Sequence, residues 1–301
     1  MSPTPPEQGS VIRHSCGRAS STQAGGIEVG WTGHWDSTRL STGVAMDLTD
    51  NLLRALVPGE IRRIVVGPRW TAVLSEAAGE MRCGLAATLD RVGARAGQPE
   101  ADVLRQWVAR PGLEVAARLH SPEPLEVSVA AAAINALLPR VPGDNRDQPA
   151  EEIVARRGAG KSVVLVGRFA FAPRLRPLVS RLQIIERQPH GDEVPESQAE
   201  RVLPEAEFVA ITGMAFVNGS LEGLLRWCGA EAEVLVLGPS TPLSPVLFDY
   251  GVDLLAGAEV TSIDAVMEGV AGGADFHQLR LLGVRRVCLS RSEWAPGGLS
   301  A

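Results

Sequence analysis

The chain has almost no lysine. Of its 29 basic residues, only Lys161 is not arginine. A Schiff base or a lysine general base would have to use Lys161. That residue stands just ahead of a strand, at the end of an α/β sheet opposite to the one that carries chemistry. Cysteine is scarce as well. Cys16, Cys83, Cys228 and Cys288 are scattered and form no CxxC pair. This argues against a zinc knuckle or a disulfide framework and for a reducing, cytoplasmic setting. No apolar run reaches membrane-spanning length and no signal-type apolar segment marks the N-terminus, so no membrane partner is expected. The net charge is −6 and the arginines gather on no one segment, so nucleic acid is not expected either.

Motifs for familiar chemistry are also missing. His14, His34, His120, His190 and His277 are widely spaced, and no HxH, HExxH or GxSxG occurs. GAGKS invites a phosphate-loop reading, but the required first glycine is Ala155, and the motif runs into a strand instead of a helix. After the first strand of the C-terminal half, VVLVGRFAFAP lacks the GxGxxG fingerprint. Neither a catalytic residue nor a cofactor is assigned, and whether the protein is an enzyme is left open.

What is present is a chain of 301 residues, 45% apolar and 21% charged, enough for one large or two ordinary domains. Residues 1–45 contain SSTQAGG and DSTRLSTG and read as an irregular leader; Met46, ahead of the helical DLTDNLLRAL, is a candidate biological start. Residues 46–138 read as α+β. A helix over 47–56 precedes three short strands, IRRIVVG, WTAVLSE and MRCGLAA, in an antiparallel meander. ADVLRQWVA, LEVAARLH and PLEVSVAAAAINALL follow as helices, and the last is apolar enough to be buried all round. Gly84 is a candidate for close backbone approach. Asn135, a lone amide in that helix, must either bridge to a neighbouring backbone or point into an interdomain cleft.

Residues 139–150, rich in proline and polar groups, read as a linker. Residues 151–301 alternate strand and helix, with strands at 162–167, 182–186, 207–213, 233–238, 253–257 and 285–290. Continuous apolar strands alternating with helices predict a Rossmann-like, mostly parallel sheet with helices on both faces.

Three sites stand out in that half. Glu186 ends the second strand, where an acidic residue could hold a ribose hydroxyl. ITGMAFVNGSLEGLLRWC ends a strand at Thr212-Gly213 and offers Asn218, Gly219 and Ser220 ahead of an amphipathic helix, as an N-cap or an anion site. GPSTPLSPVLFDYG is the most informative loop. Ser244-Pro245 reads as an N-cap with proline at the first helical position, and the short helix stops at Gly251. Pro239 and Pro242 stiffen the backbone and hold Ser240 and Thr241 in place. At the carboxyl edge of the sheet such a loop suits an oxyanion; the plain structural alternative is a rigid turn that packs two domains together.

These segments carry a resemblance. ITGMAFVNGSLEGLL followed by LGPSTPLSPVLFDYGVDLLAG, with GPRWTAV, CGLAATL and EVSVAAAAINALL ahead of them, resembles the putative heavy-metal chelation family over about residues 46–290. The resemblance implies an enolase-N-terminal-like front domain, a Rossmann-like back domain and a site between them. By position it implies site residues Thr212, Gly213, Asn218, Gly219, Ser220, Gly238, Pro239, Ser240, Thr241 and Pro242, with Glu186 and Asn135 as outer candidates.

The sequence holds no cluster of soft ligands, so direct metal coordination is not expected. The expected partner is a small anion, or a metal chelate held through its organic part. Two alternatives stay open: an enzyme using a nucleotide-type cofactor, and a non-catalytic interaction protein or homo-oligomer.

Overall fold

The computed structural model describes residues 47–89, 104–140 and 147–294. The leader, 141–146 of the linker and the start of ADVLRQWVA lie outside the described residues. The front unit begins with α1 (Leu48–Arg54), capped by Asp47, whose carboxylate accepts the Thr49 N–H at 2.9 Å. The strands β1 (Gly59–Val66), β2 (Trp70–Ala77) and β3 (Glu80–Ala87) form the expected antiparallel meander in that order. The short helix α2 (Gly112–Ala116) and a 3₁₀ turn lead to α3 (Pro124–Leu137), which lies over the meander.

Helix α3 is apolar all round because almost none of its surface meets water: eleven of its fourteen residues are buried. It can approach β3 closely because Gly84 has no side chain. A Cβ there would stand 2.2 Å from the Ala132 carbonyl oxygen and 2.3 Å from the Ala136 nitrogen. The other face of the meander is covered as well. Ala72 and Leu85 pack with Val266, Met267 and Val270, while their neighbours Val73 and Ala86 pack with α3.

The back unit runs α4 (Ala150–Arg157), β4 (Ser162–Val166), α5 (Ala172–Leu175), β5 (Arg181–Glu186), β6 (Val194–Pro195), α6 (Ala199–Val202), β7 (Phe208–Thr212), α7 (Met214–Val217), α8 (Leu221–Trp227), β8 (Glu233–Leu237), β9 (Leu254–Val260), α9 (Ile263–Ala271), α10 (Phe276–Leu282) and β10 (Val284–Ser290). The strands lie in the order β10-β9-β8-β7-β4-β5-β6, all parallel except β10, which pairs antiparallel with β9. From β6 to β9 this is the order of a doubly wound sheet.

All six expected strands are present. The extra one, β6, is two residues long and includes a proline, which belongs at an edge and leaves no periodic trace. Alternate residues of the central strands divide between two cores. Val163, Leu165, Phe208 and Ala210 pack with α4 and α5; Val164, Val166, Val209 and Ile211 join the larger core that includes α3, α6 and α8. That larger core runs unbroken from the meander's helix into the sheet, so the two units share an interior.

Further ties join them. Leu48 N–H donates to Glu222 Oε2 at 3.1 Å, and Asn51 Nδ2 donates to Tyr250 Oη at 2.6 Å. Lys161 sits at the amino end of β4, 3.3 Å from Glu233. Among the described residues, no helix is long and apolar enough to cross a membrane.

Candidate functional site

The carboxyl ends of β7 and β8 carry the two segments picked out from the sequence. Gly213 N–H bonds to Leu237 O at 2.7 Å, and Gly238 N–H to Ala256 O at 2.9 Å, so both glycines extend the sheet's ladder by one step. Gly238 does this at φ +123°, a conformation that favours glycine. The chain then turns through Pro239–Pro242 and packs back onto β7. A Cβ at Gly213 would lie 2.7 Å from both the nitrogen and Oγ1 of Thr241. Thr212, Gly213, Gly238, Ser240 and Thr241 thus form one tight cluster. Ser244 caps the following 3₁₀ turn, Pro245–Tyr250, accepting the Val246 N–H at 3.4 Å, and Gly251 ends it at φ +89°.

The hydroxyls of this loop are buried: Ser240 is 3% exposed and Thr241 2%. Ser240 Oγ accepts the Ala87 N–H of β3 at 2.8 Å. Asn135 Nδ2 donates to Leu85 O at 2.8 Å and to Ser240 O at 3.3 Å. One amide on α3 therefore holds the end of the meander and the proline loop together. Two atoms in this region are left over. Asn135 Oδ1 and Thr241 Oγ1 are both buried and have no hydrogen-bond partner. Buried polar atoms are rarely left unpaired.

Both residues line a cleft of about 230 Å³ between the two units. Its front wall is Arg82 and Cys83 on β3 with Asn135 and Ala136 on α3 and Leu138, Pro139 and Arg140 just beyond it; its back wall includes Thr241, Leu243, Glu259 on β9 and Arg285 on β10. The cleft opens at the carboxyl end of β9, the side of the sheet where open α/β folds bind ligands. Three guanidinium groups, Arg82, Arg140 and Arg285, line the cleft with one carboxylate, Glu259, while Glu80, outside the lining, pairs with Arg82 at 3.3 Å and Arg140 at 3.4 Å. Arg285 pairs with Glu259, and Arg140 lies 3.5 Å from it. Arg82 Nη1 donates to Leu138 O at 3.2 Å, while its Nε is buried and unpartnered.

The other candidates lie elsewhere. Asn218 Oδ1 accepts both the N–H and the hydroxyl of Ser220, at 3.0 and 2.8 Å, so these two groups satisfy each other. Gly219 supplies the intervening turn at φ +77°. Helix α8 has only seven residues and already carries Glu222 in its first turn, which weakens any pull on a further anion. Glu186 is at the end of β5, three strand positions from β8, or about 14 Å at ordinary strand spacing. It accepts the Arg187 N–H at 3.2 Å.

The four charged residues of the cleft were not among the sequence candidates. A strand arginine carries no mark of its own. Only the β9–β10 register, which sets Arg285 opposite Glu259, brings that pair together.

The fold and the cleft define a two-part α/β protein in which a helix-covered meander closes over the carboxyl edge of a mostly parallel sheet. The chain belongs to the putative heavy-metal chelation family, on two family models that together match most of it. A family model described as "Putative heavy-metal chelation" matches residues 150–287, and a second model with the same description matches residues 49–138. Two solved structures share the fold, both described as proteins of unknown function from the DUF364 family. One, from Desulfitobacterium hafniense, is 24% identical, with a TM-score of 0.68 over 81% of this chain and 98% of that one. The other, from Pyrococcus horikoshii, is 20% identical, with a TM-score of 0.66 over the same shares. An enolase from Pantoea ananatis aligns at a TM-score of 0.20, which carries no argument about the front unit. No curated protein is significantly similar to the chain.

The family description prompts a test of the donor set. Among the described residues, no group of three or more His, Cys, Asp or Glu side chains is placed to hold a metal ion. The one soft donor in the cleft is Cys83, and burial pushes its thiol up to about 12, so it keeps its proton at neutral pH. Guanidinium, amide and hydroxyl groups make up most of the polar lining. They do not fit a bare soft cation; they fit an anion.

Proposed function

We propose that this protein binds a small anionic ligand in the cleft between its two units, in the cytoplasm, and that the ligand is a metal chelator, or a chelate held through its organic part. The observation that carries this reading is the excess of guanidinium at the cleft, Arg82, Arg140 and Arg285 against Glu259 in the lining and Glu80 outside it, beside two buried polar atoms that lack partners. Arginine pairs with a carboxylate in a fixed, forked geometry, which gives orientation as well as attraction. The cleft, about 230 Å³, is of a size for a small molecule. In this reading the proline loop is a brace: Ser240 holds the front wall against the back wall, and Thr241 faces the ligand side.

Native mass spectrometry with elemental analysis, on untagged protein purified gently from its host, tests this directly. A co-purifying organic anion, with or without stoichiometric metal, is expected, and Arg285→Ala should deplete it. Metal retained without any organic mass, and unchanged by Arg285→Ala, would overturn the reading in favour of direct coordination.

A further inference from the structure

The cleft already contains an acid of its own. Glu259 is on β9 with its side chain 28% exposed, and both of its oxygens face arginines. Arg285, opposite it on β10, pairs with Oε2; Arg140, just beyond α3 in the front unit, lies 3.5 Å from Oε1. All three residues line the cleft. We infer that Glu259 occupies the anion subsite, and that the ligand, a small hydroxy- or amino-carboxylic acid, binds by exchange: its carboxylate takes over Arg140 and Arg285 as Glu259 turns out to solvent. This inference rests on the proposed function and names the ligand class for that site.

The exchange is energetically accessible. Arg140 and Arg285 have side chains 59% and 46% exposed, and ion pairs so open to water are weak, so releasing Glu259 costs little. Whatever replaces it has to be negative, because Arg285 would otherwise face Arg140 with only Glu80, outside the cleft, to offset the pair. Arg140 is not lost when Glu259 leaves. Glu80 holds its Nε at 3.4 Å from outside the cleft, and also takes Arg82 at 3.3 Å.

The neutral part of the ligand follows from the amide. Asn135 Nδ2 is committed to two carbonyl oxygens, which fixes the orientation of the amide and leaves Oδ1 as a pure acceptor. An acceptor with no partner calls for a donor on the ligand, an O–H or N–H. Carboxylate at one end and hydroxyl or amine at the other is the definition of a hydroxy or amino acid, and it is also the donor set of small metal chelators.

The probe is citrate, a hydroxy-carboxylate, titrated by calorimetry into the full chain at low salt, with folding of each variant checked by circular dichroism. Removing the internal competitor with Glu259→Gln should tighten citrate binding by about three- to fivefold, the equivalent of the ion pair it releases. Adding Arg140→Ala or Arg285→Ala to that variant should abolish the gain. Glu80→Gln removes an equal charge that holds Arg140 and Arg82 from outside the cleft but does not occupy the anion subsite, and should leave affinity within about twofold.

If Glu259→Gln binds citrate no better than the native chain, exchange is wrong while the anion-cleft reading stands. If Glu80→Gln tightens binding as much, the effect is one of bulk charge and the inference falls. If neither native chain nor Glu259→Gln binds citrate at about 10 mM, the ligand class is wrong. An organic anion of another class found by mass spectrometry would then preserve the anion-cleft reading alone.

Discussion

The hydroxyl of Ser240 accepts a hydrogen bond from the backbone N–H of Ala87 at 2.8 Å, linking the loop after β8 to the last residue of β3 across 153 positions of sequence. Its neighbour Thr241 is equally buried, yet its hydroxyl has no partner. Two adjacent hydroxyls on one stiff loop thus have opposite roles in the fold. Ser240→Ala strands a buried donor and should destabilise the protein by ~1–3 kcal/mol, read as a lower urea midpoint with an unchanged slope. Thr241→Val removes a group that bonds to nothing and should be neutral or stabilising by up to ~1 kcal/mol. If the two variants lose stability alike, the loop is only a packing element. If Thr241→Val is stable but binds citrate less well, the hydroxyl serves the ligand.

Gly84 makes a sharper prediction. Its missing side chain lets the backbone of α3 rest on β3, with Ala132 O and Ala136 N only 2.2 and 2.3 Å from where a Cβ would be. Both obstacles are main-chain atoms of a buried helix, so no rotamer change can relieve them. Gly84→Ala should therefore cost at least the upper end of the ~1–3 kcal/mol typical of overpacking. It should also move Asn135, which holds Leu85 O at 2.8 Å and flanks the cleft. The expected result is a thermal midpoint lowered by several degrees together with weaker citrate binding. Gly79→Ala, in the β2–β3 turn, is the control: a Cβ there meets nothing within 4 Å, and the cost is limited to its backbone conformation at φ +76°.

Gly84 also shows what could be read from the sequence. A glycine inside an otherwise apolar strand pattern signals close approach, and the structure supplies the partner. The buried helix, the six strands and the cap formed by Ser244, Pro245 and Gly251 were legible for the same reason: each is a local pattern. The strand direction of β10 was not, because an apolar run says nothing of which way its neighbour points. The split between Ser240 and Thr241 was hidden too, since it depends on Ala87, a residue of another unit. The charged wall of the cleft was least legible of all. Arg82, Arg140, Glu259 and Arg285 come from two units and meet only once the meander is laid over the sheet. Glu186, attractive as an acidic residue at the end of the second strand, ends on a strand remote from that wall.

The far side of the sheet's carboxyl edge offers a test in which charge acts without the cleft. Arg168, the residue after Gly167, grips Glu193 with two donors: Nε to Oε1 at 2.8 Å and Nη2 to Oε2 at 2.6 Å. The His190 N–H adds a third hydrogen bond to that carboxylate at 2.8 Å. These contacts, the Arg168 side chain first and the His190 backbone second, pull the Glu193 carboxyl down from an ordinary 4.5 to about 2. A folded-state value below the unfolded one means that the folded state favours the charged form. The stabilisation is complete above about pH 4.5 and is lost as pH falls through about 2, below which both states are protonated. Glu193→Gln should therefore be less stable than the native chain at neutral pH, and the gap between their urea midpoints should shrink as the pH drops through that window. A gap that stays constant with pH would mean that the pair contributes no charge-dependent stability. In the same variant, citrate affinity should not change, because Arg168 and Glu193 lie on the opposite side of β4 from the cleft wall on β9 and β10. A loss of citrate binding in Glu193→Gln would instead place the anion at the switch between β4 and β7, where Gly167 and Thr212 meet.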